Sequence, residues 1–172
     1  MQMVKRIVGG FFLSLILLWL FAPKHELYYF LEKKLKEKNI IISNETITDT
    51  WYGIKLTDAD IYANGVKMAK VAELNFNFFF LYNTLTVKEI KIDKAFQTMA
   101  PKEVHDLNAK YSIINPLKIT LTGDGSFGTL DGAVTLHKKK VEILFPVAKE
   151  LKSVKKFLKH DKTKGWYYET NY

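Results

Sequence analysis

The stretch Gly53–Ile92, GIKLTDADIYANGVKMAKVAELNFNFFFLYNTLTVKEIKI, decides the fold. Its apolar residues recur at every second position rather than at helical spacing, the signature of strands with one buried face. Ile54, Leu56, Ile61 and Ala63 mark one strand. Asn64-Gly65 then supplies a tight turn, because both residues tolerate the positive φ that a two-residue hairpin demands. Val66, Met68, Leu74, Phe76 and Phe78 carry the alternation back, and Asn83 marks a further turn. Leu85 and Val87 give way to Ile90 and Ile92, a change of parity that predicts a bulge near Lys88.

Outward from this stretch the same reading continues. Ile40–Ser43 is a short β-rich run, and Leu117, Ile119 and Leu121 resume the strands. Gly123–Gly128 reads as a hairpin, Leu130–Leu136 as a strand, His137–Lys140 as a reversal, and Val141, Ile143 and Phe145 as the strand after it. Trp166–Tyr172 can add a final strand. Two segments read as helices instead. Pro101 opens one to about Lys110, with Val104, Leu107 and Tyr111 on one side. Pro146 opens the other, with Val147, Leu151, Val154 and Leu158 in a stripe.

The N-terminal part reads differently. Ile7–Ala22 holds sixteen residues without a charge, about 24 Å as a helix, preceded by Lys5 and Arg6. The expectation is a transmembrane anchor within residues 1–23, its N-terminus cytoplasmic and the bulk of the chain periplasmic, in a bacterial inner membrane. A cleaved signal peptide competes poorly, since Leu20 and Pro23 surround the only plausible cut in the wrong way. Residues 24–38 form an amphipathic juxtamembrane helix, with Leu27, Leu31 and Leu35 in line and Tyr28 beside them. Residues 39–172 form one β-rich domain. The expected class is therefore α+β, mainly β: a transmembrane helix, then a curved antiparallel sheet with flanking amphipathic helices.

Composition narrows the chemistry. The chain has 172 residues, no cysteine and a net charge of +8, with 26 basic residues of which only Arg6 is arginine. Bidentate reading of bases and phosphates leans on arginine, so nucleic-acid binding is not expected. His25, His105, His137 and His160 are dispersed, without metal-ligand spacing, and no nucleophile elbow or phosphate loop occurs. Asp58 and Asp60, two apart in a strand, are weak material for a catalytic dyad. Neither an enzyme nor a cofactor is expected.

Two features invite a binding role. Phe76, Phe78, Phe79, Phe80, Leu81 and Tyr82 are too many apolar groups for one face of one strand. Either both sheet faces are covered, or one lines an apolar groove in which Phe76, Phe78 and Phe80 are the candidate contacts. Lys149, Lys152, Lys155, Lys156 and Lys159 back the stripe of the final helix. They fit either a helix covering the sheet or one lying on a membrane surface.

The order of parts resembles a known family. Leu27–Ser43, Trp51-Tyr-Gly53-Ile-Lys-Leu56-Thr-Asp-Ala59, the short strands that follow, and Gly123-Asp-Gly-Ser-Phe-Gly128-Thr-Leu-Asp-Gly132-Ala-Val are together similar to the general secretion pathway protein N family. These are accessory proteins of type II secretion related to the AsmA-like proteins. The resemblance implies a non-enzymatic accessory of protein secretion or envelope assembly that binds protein or lipid, with envelope or secretion proteins as partners. An anchored β fold also looks like the lipopolysaccharide-export bridging family, which implies lipid transfer along a β-groove.

Overall fold

The computed structural model describes residues 2–20, 24–79, 81–149 and 154–172, leaving aside the side chains of residues 18–20. Two helices, α1 (Gln2–Leu20) and α2 (Lys24–Lys36), precede eleven strands. These are β1 (Ile40–Ser43), β2 (Thr46–Thr50), β3 (Gly53–Ala63), β4 (Val66–Phe79), β5 (Tyr82–Ile92), β6 (Glu103–Ser112), β7 (Lys118–Gly125), β8 (Gly128–Thr135), β9 (Lys140–Phe145), β10 (Lys159–Asp161) and β11 (Gly165–Asn171).

All eleven strands belong to one open antiparallel sheet, in the order β1-β3-β4-β5-β6-β7-β8-β9-β11-β10, with β2 also on the outer edge of β3. The topology is a meander: from β3 to β9 each strand pairs with the next in sequence. The turns explain why. Asn64 and Gly65 take φ of 50° and 78°, the left-handed pair expected of this hairpin. Gly128 closes the β7–β8 hairpin at φ 98°, where a Cβ would stand 1.7 Å from the Val147 carbonyl oxygen.

Three expectations need correction. No helix among the described residues is long and apolar enough to cross a membrane. The charge-free residues of α1 that are described, Ile7–Leu20, span about 21 Å against a hydrocarbon core of about 30 Å. The transmembrane anchor is thus unsupported, and with it the single-pass inner-membrane, periplasm-facing localisation. The Pro101–Lys110 segment is strand β6, not a helix. The segment after Pro146 is also not the expected helix: Ala148 bridges to Gly128, Lys155–Phe157 is a single 3-10 turn, and Lys159–Asp161 is β10. Residues 150–153, which include Leu151 and Lys152, lie outside the described residues. The helix expected over 24–38 is present as α2, Lys24–Lys36; Tyr28 is its buried residue, 2% exposed, while Leu27 and Leu31 are 45% and 43% exposed.

The sequence-predicted bulge near Lys88 belongs to something larger. Register pairing skips Asp58, Ala72, Glu89 and His105, which stand in one row across β3, β4, β5 and β6. Asp58 and Glu89 have φ of 59° and 51°. At this row apolar residues are three apart rather than two: Leu56 and Ala59, Val71 and Leu74, Val87 and Ile90, Val104 and Leu107. Ala59, Val71 and Val87 nevertheless form one buried cluster, with Leu74, Leu85, Ile90 and Leu107 packed against it. Each strand therefore flips parity at the same level, and the apolar residues of both halves stay on one face.

Candidate functional site: an open apolar sheet face

Residues opposite each other in register share a face, so the pairing reads out both sides of the sheet. One lane crosses Ile54, Phe76, Leu85, Ala109, Leu121, Gly132, Ile143 and Tyr168. A second crosses Phe78, Asn83, Tyr111, Ile119, Val134 and Val141. The opposite face is polar: Lys55, Asn75, Thr86, Asn108, Thr122 and Asp131 fall in one row. There Thr86 Oγ1 donates to Asn108 Oδ1 at 2.7 Å, and Asn77 Nδ2 to Thr84 Oγ1 at 3.1 Å.

Polar-face carboxylates are matched by lysines. Glu73 lies 2.6 Å from Lys55 Nζ and 3.2 Å from Lys88 Nζ, and accepts from Asn75. Hydrogen bonding to Lys55, then to Asn75 and Lys88, lowers its carboxyl to about 2. Asp60 is held 2.7 Å from Lys67 Nζ and accepts from Asn44 Nδ2 at 3.0 Å; Lys67 first, then Asn44, depresses its pKa. Asp58 pairs instead with Lys70 at 3.1 Å. The two aspartates thus have separate lysines, the arrangement of ion-pair networks rather than of a shared-proton dyad.

Among the described residues the apolar face has little to cover it. Tyr28 of α2 packs on Ile54 and Leu56, and its hydroxyl donates to Glu45 Oε1 at 2.6 Å, which fixes the helix over the β3 end. At the far end of β7 and β8, buried Phe127 meets Phe145 edge to face at 5.9 Å. Between these two covers lies a cleft of about 420 Å³ lined by Phe76, Phe78, Leu85, Ala109, Tyr111 and Ile119, with Asn83 and Thr84 as its polar edge. Phe76 and Phe78 stack with ring centroids 4.0 Å apart.

Of the residues expected in a groove, Phe76 and Phe78 come together here and Phe80 lies outside the described residues. Among the described residues the expected lysine helix does not form, and Lys152 lies outside them. Lys149 hydrogen-bonds through its backbone N–H to Phe127, Lys155 Nζ sits 5.0 Å from the Trp166 ring, and Lys156 Nζ 5.0 Å from the Phe157 ring. Lys159 is in β10. The helix-like spacing of Val104, Leu107 and Tyr111 hid β6, and with it Ala109 and Tyr111, from a sequence reading. Aligning the apolar positions of successive hairpins would have found them.

His25 pairs with Asp49 at 2.9 Å, and His105 Nδ1 lies 3.7 Å from Glu89. Among the described residues no group of acidic and histidine side chains could hold a metal ion. Compared with family models, with curated proteins and with solved structures, the chain matches none.

Proposed function

We propose that this chain is a non-catalytic lipid-binding protein, in which an acyl chain lies along the open apolar face, the role of a lipid-transfer β-groove. The carrying observation is the mismatch of layers. A single sheet whose path runs through ten strands is about 43 Å wide. α2, at 13 residues, is about 20 Å long and docks at the β3 end, where Tyr28, Ile54 and Leu56 form a cluster with Leu74, Phe76 and Phe78 of β4 against it. An antiparallel sheet with one apolar face needs a second layer over it. From β5 to β9 the residues of the apolar lanes are only partly buried, and a flexible, unbranched hydrocarbon chain fits a shallow trough bordered by Asn83 and Thr84.

A second reading is the accessory role in secretion or envelope assembly through protein binding. It is favoured by the outer edge of β11: β10 pairs only with Gly165, Trp166 and Tyr167, which leaves Tyr168–Asn171 without an outer neighbour among the described strands. Such an edge accepts an added strand.

Mass spectrometry of the gently purified chain separates the two. Lipid should co-purify, and Ala109→Tyr, which fills the cleft from its floor, should reduce the retained lipid severalfold with the circular dichroism spectrum unchanged. Absence of lipid from the wild-type chain, together with peptide or protein held at the β11 edge, would establish the second reading instead.

A further inference from the structure

The turns at one end of the sheet carry its most exposed large apolar side chains. Trp51 and Ile114 are 80% and 89% exposed, and Tyr52, Leu81, Tyr82 and Ile113 between 46% and 54%. They sit on the β2–β3, β4–β5 and β6–β7 turns, three neighbouring connections at the same end. Backbone bonds tie these turns together: Phe78 N–H donates to the Tyr52 carbonyl at 2.6 Å, and Ile113 N–H to the Leu81 carbonyl at 2.9 Å. Alternate connections in a meander stand roughly 10 Å apart, so the three tips form a rim about 20 Å long. Exposed apolar groups that are scattered singly need no explanation, but a contiguous row does.

We propose that this rim docks peripherally on a phospholipid bilayer, its side chains entering the headgroup boundary with no segment crossing the membrane. The residue types point to that partner. Tryptophan and tyrosine combine an apolar ring with a polar edge, which suits the interface between headgroups and acyl chains. Cations flank the row. Lys24 Nζ donates to the carbonyls of Thr50 and Trp51 at 2.7 and 2.9 Å, and exposed Lys138 and Lys139 occupy the next connection along. The opposite end differs: Val66 and Met99 are each 52% exposed there but no exposed aromatic accompanies them among the residues described at that end, and a cleft beside them is lined by Lys67, Lys70, Lys91, Lys94 and Lys102 with Asp93 and Glu103. A protein-binding patch of this size would bury its aromatics in pockets of a partner, whereas three protruding tips on one line match a planar surface. The rim contact depends on the turns alone, and an empty groove would leave it in place.

The test uses the full chain with Trp19→Phe and Trp166→Phe, so that Trp51 is the sole tryptophan. It is mixed with vesicles of phosphatidylcholine containing a minority of phosphatidylglycerol and acyl-brominated lipid. Trp51 emission should shift to the blue and be quenched. Ile114→Asp should lower the vesicle-bound fraction roughly tenfold at limiting lipid, the cost of exposing one aliphatic side chain. A tryptophan at the other end, from Lys94→Trp with the three native tryptophans replaced by Phe, should stay unquenched. Vesicle binding with Trp51 unquenched would assign membrane contact to the apolar helix α1 and overturn the proposal. So would failure to bind vesicles, or a Trp51 shift caused by self-association without lipid.

Discussion

Glu73 shows how the polar face contributes to stability. Its carboxyl is lowered from 4.5 to about 2, chiefly by Lys55, then by Asn75 and Lys88, and its side chain is 25% exposed. A carboxylate with a depressed pKa adds stability that is fully present above its unfolded value and lost as pH falls through the folded one. Lys55 and Lys88 are 37% and 50% exposed, so solvent screening leaves a contribution of roughly 1 kcal/mol rather than the full linkage value. Glu73→Gln should therefore be less stable than the wild type by about that amount at pH 7, with the gap closing between pH 4.5 and about 2. Urea midpoints across that range check it. A gap of the same size at pH 2 would assign the effect to packing rather than charge.

At the scale of elements the row of interruptions shapes the sheet. Asp58 and Glu89 hold positive φ in the middle of long strands, where a β-branched residue is strongly disfavoured. Glu89→Val should cost about 1–3 kcal/mol by this strain alone, whereas Glu89→Gly, which accepts the same backbone, should be close to neutral. Thermal unfolding of the two variants measures the difference, and equal losses would mean that the row is not strained.

The same row marks where a sequence reading reaches its limit. Period-two alternation made β3, β4, β5, β7, β8 and β9 legible, and Asn64-Gly65 announced its own turn. β6 was not legible, because a parity flip turns Val104 and Leu107 into an i, i+3 pair that copies one helical turn. The 146–158 segment misled for another reason: its lysines alternate with apolar residues at helical spacing, but the chain there is tied to β8 by the Gly128–Ala148 bridge and to β11 by β10. Tertiary pairing overrode local pattern. In α2 the apolar stripe marked the helix but not the side chain that docks it, Tyr28, which packs on Ile54 and Leu56 and bonds Glu45.

At the scale of the whole molecule, the excess of aromatic residues near Phe76–Tyr82 could not by itself distinguish a sheet covered on both faces from one with an open groove. That choice depends on whether another layer packs over the sheet, which is a property of connectivity rather than of any strand. Among the described residues the strands form one wide sheet, and α2 and Phe127 cover only its margins. Polar and apolar faces are separated over β3 to β8, with Thr122 and Leu121 as adjacent residues on opposite sides.

That pair offers the most direct measurement. A benzophenone amino acid placed at Leu121, and separately at Thr122, reports which side of the sheet holds hydrocarbon when each chain is irradiated as expressed and weighed intact. Lipid-mass adducts should form at position 121 and be absent at position 122. Adducts at both positions in equal yield, or at neither, would contradict an acyl chain lying on the apolar face.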